Sequence, residues 1–464
     1  MQIDSARPAV AELRLSAFKN HRGVILPMGP LTLLAGPSGS GKSSALQAYE
    51  ILARLGGGER LGQAVEAVPG GATACVPAGA RPDGQGRRGF RIGCTVEGPA
   101  GPVRLDLAIQ AEPELRIVGE RLTGGGETLL TTALTDPDRN AVQAAWYTAG
   151  ATPVTRAPLP DDRLGTALLP LRVAGKTAGQ RQVLAAAEQV VVALRSVFRC
   201  DPRPESMRGA DPVPEAVAVP RGRVGTEAGA SQGGRGRTRA DTASCRGGDA
   251  HRAEEGRLRP SCDNLPAVLE RTSKECTRRH AVLVAAVRAA CAGPVDGLHA
   301  VPRQADGERA QKAAAGTADG TAGQARGRTD TTGTTGAPGR GRALVPAPRA
   351  SSGLQAVLDR GTWGMMPVDQ LGDGELRYLG LALVLLTGPG VLDMDPVGEI
   401  PSAFQQMTVV ADGMDRCMDD RQAGELVSLA VRMARRGHVR LLGTVRDPAV
   451  AEGLPDVQVL RLGA

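Results

Sequence analysis

The pattern of apolar and polar residues predicts regular structure toward both ends of the chain and little between them. Apolar and polar residues alternate over 11–35 and again over 90–122. This alternation predicts a small antiparallel sheet followed by a β-meander. Residues 179–198 carry apolar side chains at helical spacing, and so do two stretches within 262–292. Residues 66–88 are rich in Gly, Pro and Ala, which is typical of a loop.

The middle of the chain changes composition twice. Residues 221–260 and 303–350 consist mostly of Gly, Arg, Ser, Thr and Ala, and too few apolar residues occur there to bury a core. Neither stretch contains a heptad repeat, which argues against a long coiled coil. The predicted divisions are an N-terminal lobe (1–215), a disordered linker (216–261), a helical segment (262–300, with helices around Leu265–Arg271 and Glu275–Ala292), a low-complexity linker (301–350) and a C-terminal lobe (351–464).

One motif stands between a predicted strand and a predicted helix. The apolar run at 31–35 is followed by Gly36-Pro-Ser-Gly-Ser-Gly-Lys-Ser43, and apolar residues at helical spacing then continue to Leu55. The pattern G-x-x-x-x-G-K-[ST] in this context predicts a loop that binds the phosphates of a nucleoside triphosphate. The candidate binding residues are Gly36, Pro37, Ser38, Gly39, Ser40, Gly41, Lys42, Ser43 and Ser44.

The residue types in this loop suit phosphate chemistry. Glycines adopt backbone conformations that other residues avoid, so successive N–H groups can turn toward one anion, and the positive end of the following helix points there too. Lys42 is expected to reach the β- and γ-phosphate oxygens, and the Ser43 hydroxyl to bind Mg²⁺. A chance Gly/Ser-rich turn is the alternative, but it does not explain the flanking strand and helix. The expected ligands of this loop are therefore a nucleoside triphosphate and Mg²⁺.

Two stretches near the C-terminus contain candidate partners for this loop. An apolar run from Met407 ends at Asp412, and a buried strand beside the first one would make Asp412 a ligand of Mg²⁺. Apolar strands that end in Asp are common, however. The second stretch, at 371–375, precedes an apolar helical pattern and predicts a further anion site at a helix start, although an ordinary capped helix also fits. Its candidate residues are Leu371, Gly372, Asp373 and Gly374.

Together these segments resemble the ATP-binding heads of the ABC-type ATPases, in particular the RecF, SMC and related AAA-labelled family. The resemblance covers about the first 60 and the last 110 residues. The matching stretches are Leu13-Arg-Leu-Ser-Ala-Phe-Lys-Asn-His21, the loop at 36–43, the sequence LGDGELRYLGLALVLL from Leu371, and Asp412-Gly-Met-Asp-Arg-Cys-Met-Asp-Asp-Arg-Gln422, with a shorter match at 262–269.

This resemblance implies an α/β P-loop NTPase fold with an ABC-ATPase-like head, an antiparallel β-lobe at one edge and a largely disordered middle insertion. It implies a signature loop at 371–375, a Walker B aspartate at Asp412 and a D-loop aspartate at Asp419. It also implies a homodimer in which the signature loop of one head closes on the ATP held by the other.

The sequence departs from the family pattern where hydrolysis is carried out. Gly413 stands where the resemblance places a catalytic glutamate, and Asp415 is a weak substitute. Gly372 replaces the signature serine, and Val445 or Arg446 stands where a switch histidine belongs. Since general-base assistance is worth about 10²–10⁴-fold in rate, we expect ATP binding with weak or absent hydrolysis. The candidates for a Q-loop glutamine are Gln180 and Gln182.

Charge and cysteine content limit the partners and the compartment. The net charge of +7 permits a polyanionic partner such as DNA without requiring one, because much of the excess lies in the predicted linkers. The eight cysteines form no C-x-x-C pair, so neither a zinc site nor a disulfide framework is predicted, and reduced thiols are expected. The N-terminus has no signal-peptide pattern, and the longest apolar run, 379–386, is far shorter than the ~20 residues that span a bilayer. We expect a cytoplasmic protein without membrane contact.

Three functions remain open on sequence grounds. The first is an ATP-gated head acting in DNA maintenance or repair, although no aromatic platform or DNA-binding motif is present. The second is a small-molecule kinase, but no acceptor-binding lid follows the loop. The third is a non-catalytic scaffold or regulator that uses ATP as a structural ligand, which Gly413 favours.

Overall fold

A computed structural model describes residues 7–149, 153–209, 257–303, 353–388, 391–392 and 406–463. Within these ranges the chain is a mixed α/β structure with three sheets. Most of both predicted linkers, 216–256 and 304–350, lies outside the described residues. The last residues of the first linker are described, and Leu258 among them is buried and bridges Leu392.

A parallel sheet is built from both ends of the chain. Elements are numbered in chain order, and the order across this sheet is β10-β14-β15-β3-β16, with every pair parallel. Leu33 contributes to the hydrophobic core on one face and Leu34 to the core on the other, which explains why the strand is apolar throughout. The strands are β3 (Leu31–Ala35), β10 (Val197–Cys200), β14 (Met407–Ala411), β15 (Val439–Thr444) and β16 (Gln458–Arg461).

An antiparallel sheet covers one side of the N-terminal lobe. Its order is β2-β1-β4-β5-β6-β7-β8-β9. The alternation of apolar and polar residues is reproduced in β5, where Val103, Leu105 and Leu107 are buried. The predicted β-meander is therefore confirmed and continues further than expected. The strands are β1 (Ala9–Phe18), β2 (His21–Pro27), β4 (Arg88–Glu97), β5 (Val103–Glu112), β6 (Arg116–Gly124), β7 (Glu127–Ala133), β8 (Ala141–Tyr147) and β9 (Val154–Pro160).

A third, smaller sheet and a set of helices complete the fold. The sheet has the order β11-β12-β13 and leads through a short 3₁₀ turn to the segment at 371–375. Its strands are β11 (Gly297–Pro302), β12 (Leu354–Asp359) and β13 (Met365–Pro367). The helices are α1 (Lys42–Gly56), α2 (Leu61–Glu66), α3 (Gly71–Cys75), α4 (Gly165–Leu168), α5 (Ala178–Arg195), α6 (Pro204–Met207), α7 (Leu265–Glu275), α8 (Thr277–Ala290), α9 (Asp373–Leu386) and α10 (Asp420–Arg435). The 3₁₀ turns are Leu169–Leu171, Gly361–Trp363, Val368–Gln370 and Pro448–Ala451.

The helix predicted at 179–198 ends earlier than its apolar spacing suggested. α5 stops at Arg195, and Val197–Cys200 forms β10, which pairs with β14. Val197 and Phe198 continue the helical spacing, but β-branched and aromatic residues also favour strands, and Phe198 is buried in the sheet. The last part of this prediction was therefore wrong.

Two smaller expectations also need correction. The antiparallel sheet predicted over 11–35 is confirmed for β1 and β2, but β3 belongs to the parallel sheet. The loop predicted at 66–88 contains the short helix α3. Within the described residues, no helix is long and apolar enough to cross a bilayer.

Candidate functional site

The predicted phosphate-binding loop connects the buried strand β3 to helix α1. α1 begins at Lys42, and the loop before it contains Gly36, Gly39 and Gly41 with φ of 146°, 83° and 96°. These angles lie in the region that favours glycine, so the loop conformation depends on glycine at these positions. A Cβ on Gly36 would also lie 2.3 Å from the carbonyl oxygen of Leu462, which follows β16. Both ends of the chain therefore shape this loop.

Two side chains of the loop are arranged as a phosphate site requires. Lys42 Nζ donates to the carbonyl oxygens of Gly36 and Pro37, at 2.6 and 3.0 Å, so its charge lies over the loop. Ser40 Oγ is buried without a hydrogen-bond partner among the described residues. A buried hydroxyl without a partner is costly, and a phosphate oxygen in the loop would satisfy it. The residues present therefore fit a bound phosphate.

The turn between β1 and β2 supports the loop from outside. Asn20 Nδ2 donates to Gly39 O at 3.1 Å, and His21 Nε2 lies 3.0 Å from Gly41 O. Because a carbonyl oxygen can only accept, Nε2 of His21 carries the proton. A Cβ on Gly41 would lie 2.5 Å from the imidazole ring, so His21 and Gly41 are matched in size. No role was predicted from the sequence for Asn20 or His21.

A cavity of about 500 Å³ opens beside the loop. Its walls include Lys19 from the β1–β2 turn, the end of α3 with the chain that follows it, and the loop residues Ser38, Gly39, Gly41, Lys42, Ser43 and Ser44. Burial lowers the pKa of the Lys19 amine, although the nearby Cys75 thiol acts in the opposite direction. Lys19 Nζ donates to Gln47 Oε1 at 2.6 Å, and an anion in the cavity would relieve the cost of burying its charge. The cavity therefore contains two amines, those of Lys19 and Lys42.

Asp412 lies directly after β14 and is held by the neighbouring strand. Thr444 Oγ1 at the end of β15 donates to Asp412 Oδ1 at 2.6 Å and accepts from the Gly413 amide at 2.7 Å. The sequence prediction placed the Asp412 strand directly beside β3, but β15 lies between them. Since neighbouring strands are ~4.8 Å apart, Asp412 follows a strand ~10 Å from β3, at the same carboxyl edge of the sheet.

The described residues contain no group of three or more His, Cys, Asp or Glu side chains that could hold a metal ion by themselves. Mg²⁺ is usually held by one or two protein ligands together with phosphate oxygens and water. Ser43 at the start of α1 and Asp412 after β14 are the predicted ligands.

The segment at 371–375 forms the start of α9 and packs against the chain that follows Asp412. Gly372 is the N-cap residue, and its amide donates to Glu375 Oε2 at 3.2 Å. A Cβ on Gly374 would lie 2.1 Å from Cys417 O, so only glycine fits there. Arg208 holds the segment in place. Its side chain donates to Asp369 O and Leu371 O and forms an ion pair with Asp373 at 2.7 Å.

A buried arginine joins α9 to the Asp412 segment. Arg377 is 4% exposed and donates to Pro202 O, Asp412 O and Gly413 O, at 2.7, 3.3 and 3.0 Å. These bonds tie the helix that carries the predicted signature loop to the backbone on both sides of the predicted catalytic position. The sequence shows this residue only as a single Arg within an apolar helix.

The remaining predicted residues have structural partners. Asp415 Oδ2 accepts from the amides of Arg446 and Asp447, at 2.7 and 3.1 Å, so one oxygen of this weak base candidate is already used. Asp419 is the N-cap of α10, where its carboxylate accepts from Gln422 N. The two Q-loop candidates lie on α5, where they bond to neighbouring backbone. These bonds are Lys176 N to Gln180 Oε1 and Gln182 Nε2 to Gly124 O.

Comparison with known proteins gives only remote matches. No protein-family model and no curated protein matches the sequence. The crystal structure of the SmcHead bound to the C-winged helix domain of ScpA aligns with a TM-score of 0.41 and 10% identity, over 95% of this chain and 91% of that one. The SMC head domain from Thermotoga maritima gives 0.35 and 12%, over 96% and 91%. The Smc head domain with an extended coiled coil, bound to the C-terminal domain of ScpA derived from Pyrococcus furiosus, gives 0.35 and 10%, over 96% and 91%. Identities and TM-scores this low do not establish a function for this chain.

Proposed function

We propose that this protein is an ATP-binding head in which the two ends of the chain jointly hold a nucleoside triphosphate with Mg²⁺. One observation carries the proposal: the loop at 36–43 and Asp412 lie at the same carboxyl edge of one parallel sheet. This is the edge where α/β sheets bind ligands. The loop supplies backbone N–H groups and Lys42 for the phosphates, and Ser43 and Asp412 are the residues that would hold the metal.

The chemistry of the site favours a triphosphate over an uncharged ligand. Two amines, Lys19 and Lys42, line the cavity, and Ser40 Oγ has no partner in the described chain. Bound Mg²⁺ would neutralise charge on the phosphate oxygens. The loop amides and Lys42 would orient the phosphates, and the Thr444 hydroxyl holds Asp412.

Hydrolysis is proposed to be slow or absent. The position after Asp412 is Gly413, which has no side chain to orient or deprotonate a water molecule. Asp415 is the next carboxylate, and the amides of Arg446 and Asp447 hold one of its oxygens. Loss of a general base lowers the rate of hydrolysis by about 10²–10⁴-fold. ATP therefore acts as a ligand that changes the state of the protein more than as a substrate.

ATP binding is proposed to bring two heads together, with residues 371–375 of one copy against the loop of the other. The test is sedimentation of the purified protein with and without Mg²⁺ and a non-hydrolysable ATP analogue. Wild type and Lys274→Ala should dimerise with nucleotide, whereas Lys42→Ala should stay monomeric. Lys274 is a matched control because its one ion pair within the described residues is an exposed pair with Glu270. A wild-type protein that binds no nucleotide would refute the proposal, and one that binds but never dimerises would refute the gating.

Gly413 also favours a second candidate, a scaffold or regulator in which ATP has only a structural role. The variant Lys42→Ala distinguishes the ATP-gated head from the scaffold. A variant that is folded, free of ATP and still active in its biological role supports the scaffold.

DNA as a partner is tested by measuring whether the purified protein retains DNA at low salt. Steep loss of retention with added salt supports phosphate contacts, and no retention at low salt removes DNA from the account.

A further inference from the structure

A second cavity lies at the opposite end of the parallel sheet from the phosphate-binding loop. It has a volume of about 550 Å³ and lies where α9 and α10 end and where α8 and β15 begin. We call it the basal cleft and define it by Arg278, Arg279, Val282, Leu386, Met433 and Arg436. None of the residues assigned to nucleotide binding lines it.

One part of the wall of the basal cleft is apolar. It includes Leu386 at the end of α9 and Met433 on α10, which are 9% and 6% exposed. Val282 on α8 is 37% exposed and belongs to the few large apolar side chains left accessible in the described chain. A ligand with an apolar part would cover it, and burial of apolar surface is favourable.

The cleft also contains three guanidinium groups without acidic partners. Within the described residues, Arg278, Arg279 and Arg436 form no ion pair, and Arg436 donates a hydrogen bond to Met433 Sδ, at 3.9 Å. Their neighbours differ. Arg271 pairs with Glu275 at 2.8 Å, and Arg435 pairs with Asp456 at 2.8 Å. Within the described residues, these three positive charges therefore lie together at the cleft without an acidic side chain to pair with.

We propose that the basal cleft binds a small anionic amphiphile, meaning one acidic group on an apolar body. Guanidinium groups recognise carboxylate and phosphate oxygens, and the cavity volume lies in the range of about 300–1,000 Å³ that is usual for small-ligand sites. A purely polar anion would leave Val282, Leu386 and Met433 unused. An uncharged apolar molecule would leave the three arginines without partners. The proposal does not depend on nucleotide binding at the other end of the sheet.

Calorimetric titration with decanoate, and with 1-decanol as the uncharged match, tests the charge requirement. Decanoate should bind wild type about tenfold more tightly than 1-decanol. Since exposed charge pairs contribute modestly and three are removed, R278Q/R279Q/R436Q should weaken decanoate binding about tenfold and leave 1-decanol unchanged within about twofold. The matched control is Arg435→Gln, which removes the paired arginine next to Arg436 and should change neither affinity by more than about twofold.

Alkylation of the wild-type protein locates the ligand without any substitution. Cys276 is half-buried and lines the cleft, whereas Cys417 is exposed and lies outside it. Saturating decanoate should slow modification of Cys276 by N-ethylmaleimide at least about fivefold and leave Cys417 unchanged, as read by mass spectrometry of the digest.

Four results would overturn the proposal. They are equal binding of decanoate and 1-decanol, no loss of decanoate affinity in the triple variant, and no protection of Cys276. The fourth concerns Asp393, Asp395 and Glu399, which lie outside the described residues. If D393N/D395N/E399Q binds decanoate about tenfold more tightly than wild type, this acidic stretch of the chain competes for the cleft and is its occupant.

Discussion

The hydroxyl of Thr444 is the contact that fixes Asp412, and its removal should be measurable in stability. Thr444 is 2% exposed, donates to Asp412 Oδ1 at 2.6 Å and accepts from Gly413 N at 2.7 Å. Thr444→Val keeps the shape and removes both bonds. A bond to a charged group contributes about 1.5–3 kcal/mol and a neutral one about 1 kcal/mol. Because Asp412 is only half-buried, water can replace part of the first bond. The expected loss is therefore about 2–3 kcal/mol in the free energy of unfolding.

Urea denaturation of wild type, Thr444→Val and Thr444→Ser measures this loss. Thr444→Ser keeps the hydroxyl and removes one methyl group, which costs about 1 kcal/mol. Thr444→Val should therefore be less stable than Thr444→Ser by about 1–2 kcal/mol, and its affinity for Mg·ATP should fall about tenfold because the Asp412 carboxylate loses its orientation. If Thr444→Val is as stable as Thr444→Ser and binds Mg·ATP equally well, the reasoning about this contact is wrong.

Three further predictions concern the same edge of the sheet. Gly413→Glu should raise ATP turnover at least about tenfold over Gly413→Ala. Gly413→Ala is the control because both variants place an L residue at φ 61°, a strain of about 1–2 kcal/mol. Equal turnover in the two variants would count against the missing carboxylate as the cause of slow hydrolysis. The ATP affinity of wild type should be full while Lys19 is protonated and should fall as pH rises through its pKa. Because burial lowers that pKa, the fall begins at a lower pH than for an ordinary lysine. Lys19→Arg should remove this fall in affinity, because the guanidinium stays charged. If the dissociation constant for ATP depends on pH identically in wild type and Lys19→Arg, Lys19 does not belong to the site. Arg377→Met should lower the free energy of unfolding by about 3 kcal/mol and Arg377→Lys by less, since Lys keeps a charged donor; equal losses measured in urea would show that the bonds to Pro202 and Gly413 matter little.

The central strands were predictable because both of their faces are buried. Leu31–Ala35 and Met407–Ala411 are apolar at nearly every position, a pattern that parallel strands under two layers require. β10 was not predictable in the same way. Val197 and Phe198 continue the spacing of α5, and only the pairing with β14 decides that they form a strand.

The phosphate-binding loop could be predicted from the sequence because all of its parts are local. The supports around it could not. Thr444 contacts Asp412 only because β15 lies next to β14, and the sequences of these two strands do not determine their order in the sheet. Arg208 and Arg377 bond to backbone carbonyls far away in the chain, and a carbonyl has no sequence signature. His21 begins β2, and its contact with Gly41 depends on the fold that brings β2 beside the loop.

The most direct test of the account is the effect of Mg²⁺ on ATP affinity in wild type and in Asp412→Asn. Asp412, from one end of the chain, and Lys42, from the other, are proposed to serve one metal–nucleotide site. Mg²⁺ should therefore strengthen ATP binding to wild type at least about tenfold. Asp412→Asn should lose this increment, and its affinity for ATP without Mg²⁺ should stay within about twofold of wild type. If Asp412→Asn keeps the full Mg²⁺ increment, Asp412 does not hold the metal and the joint site is contradicted.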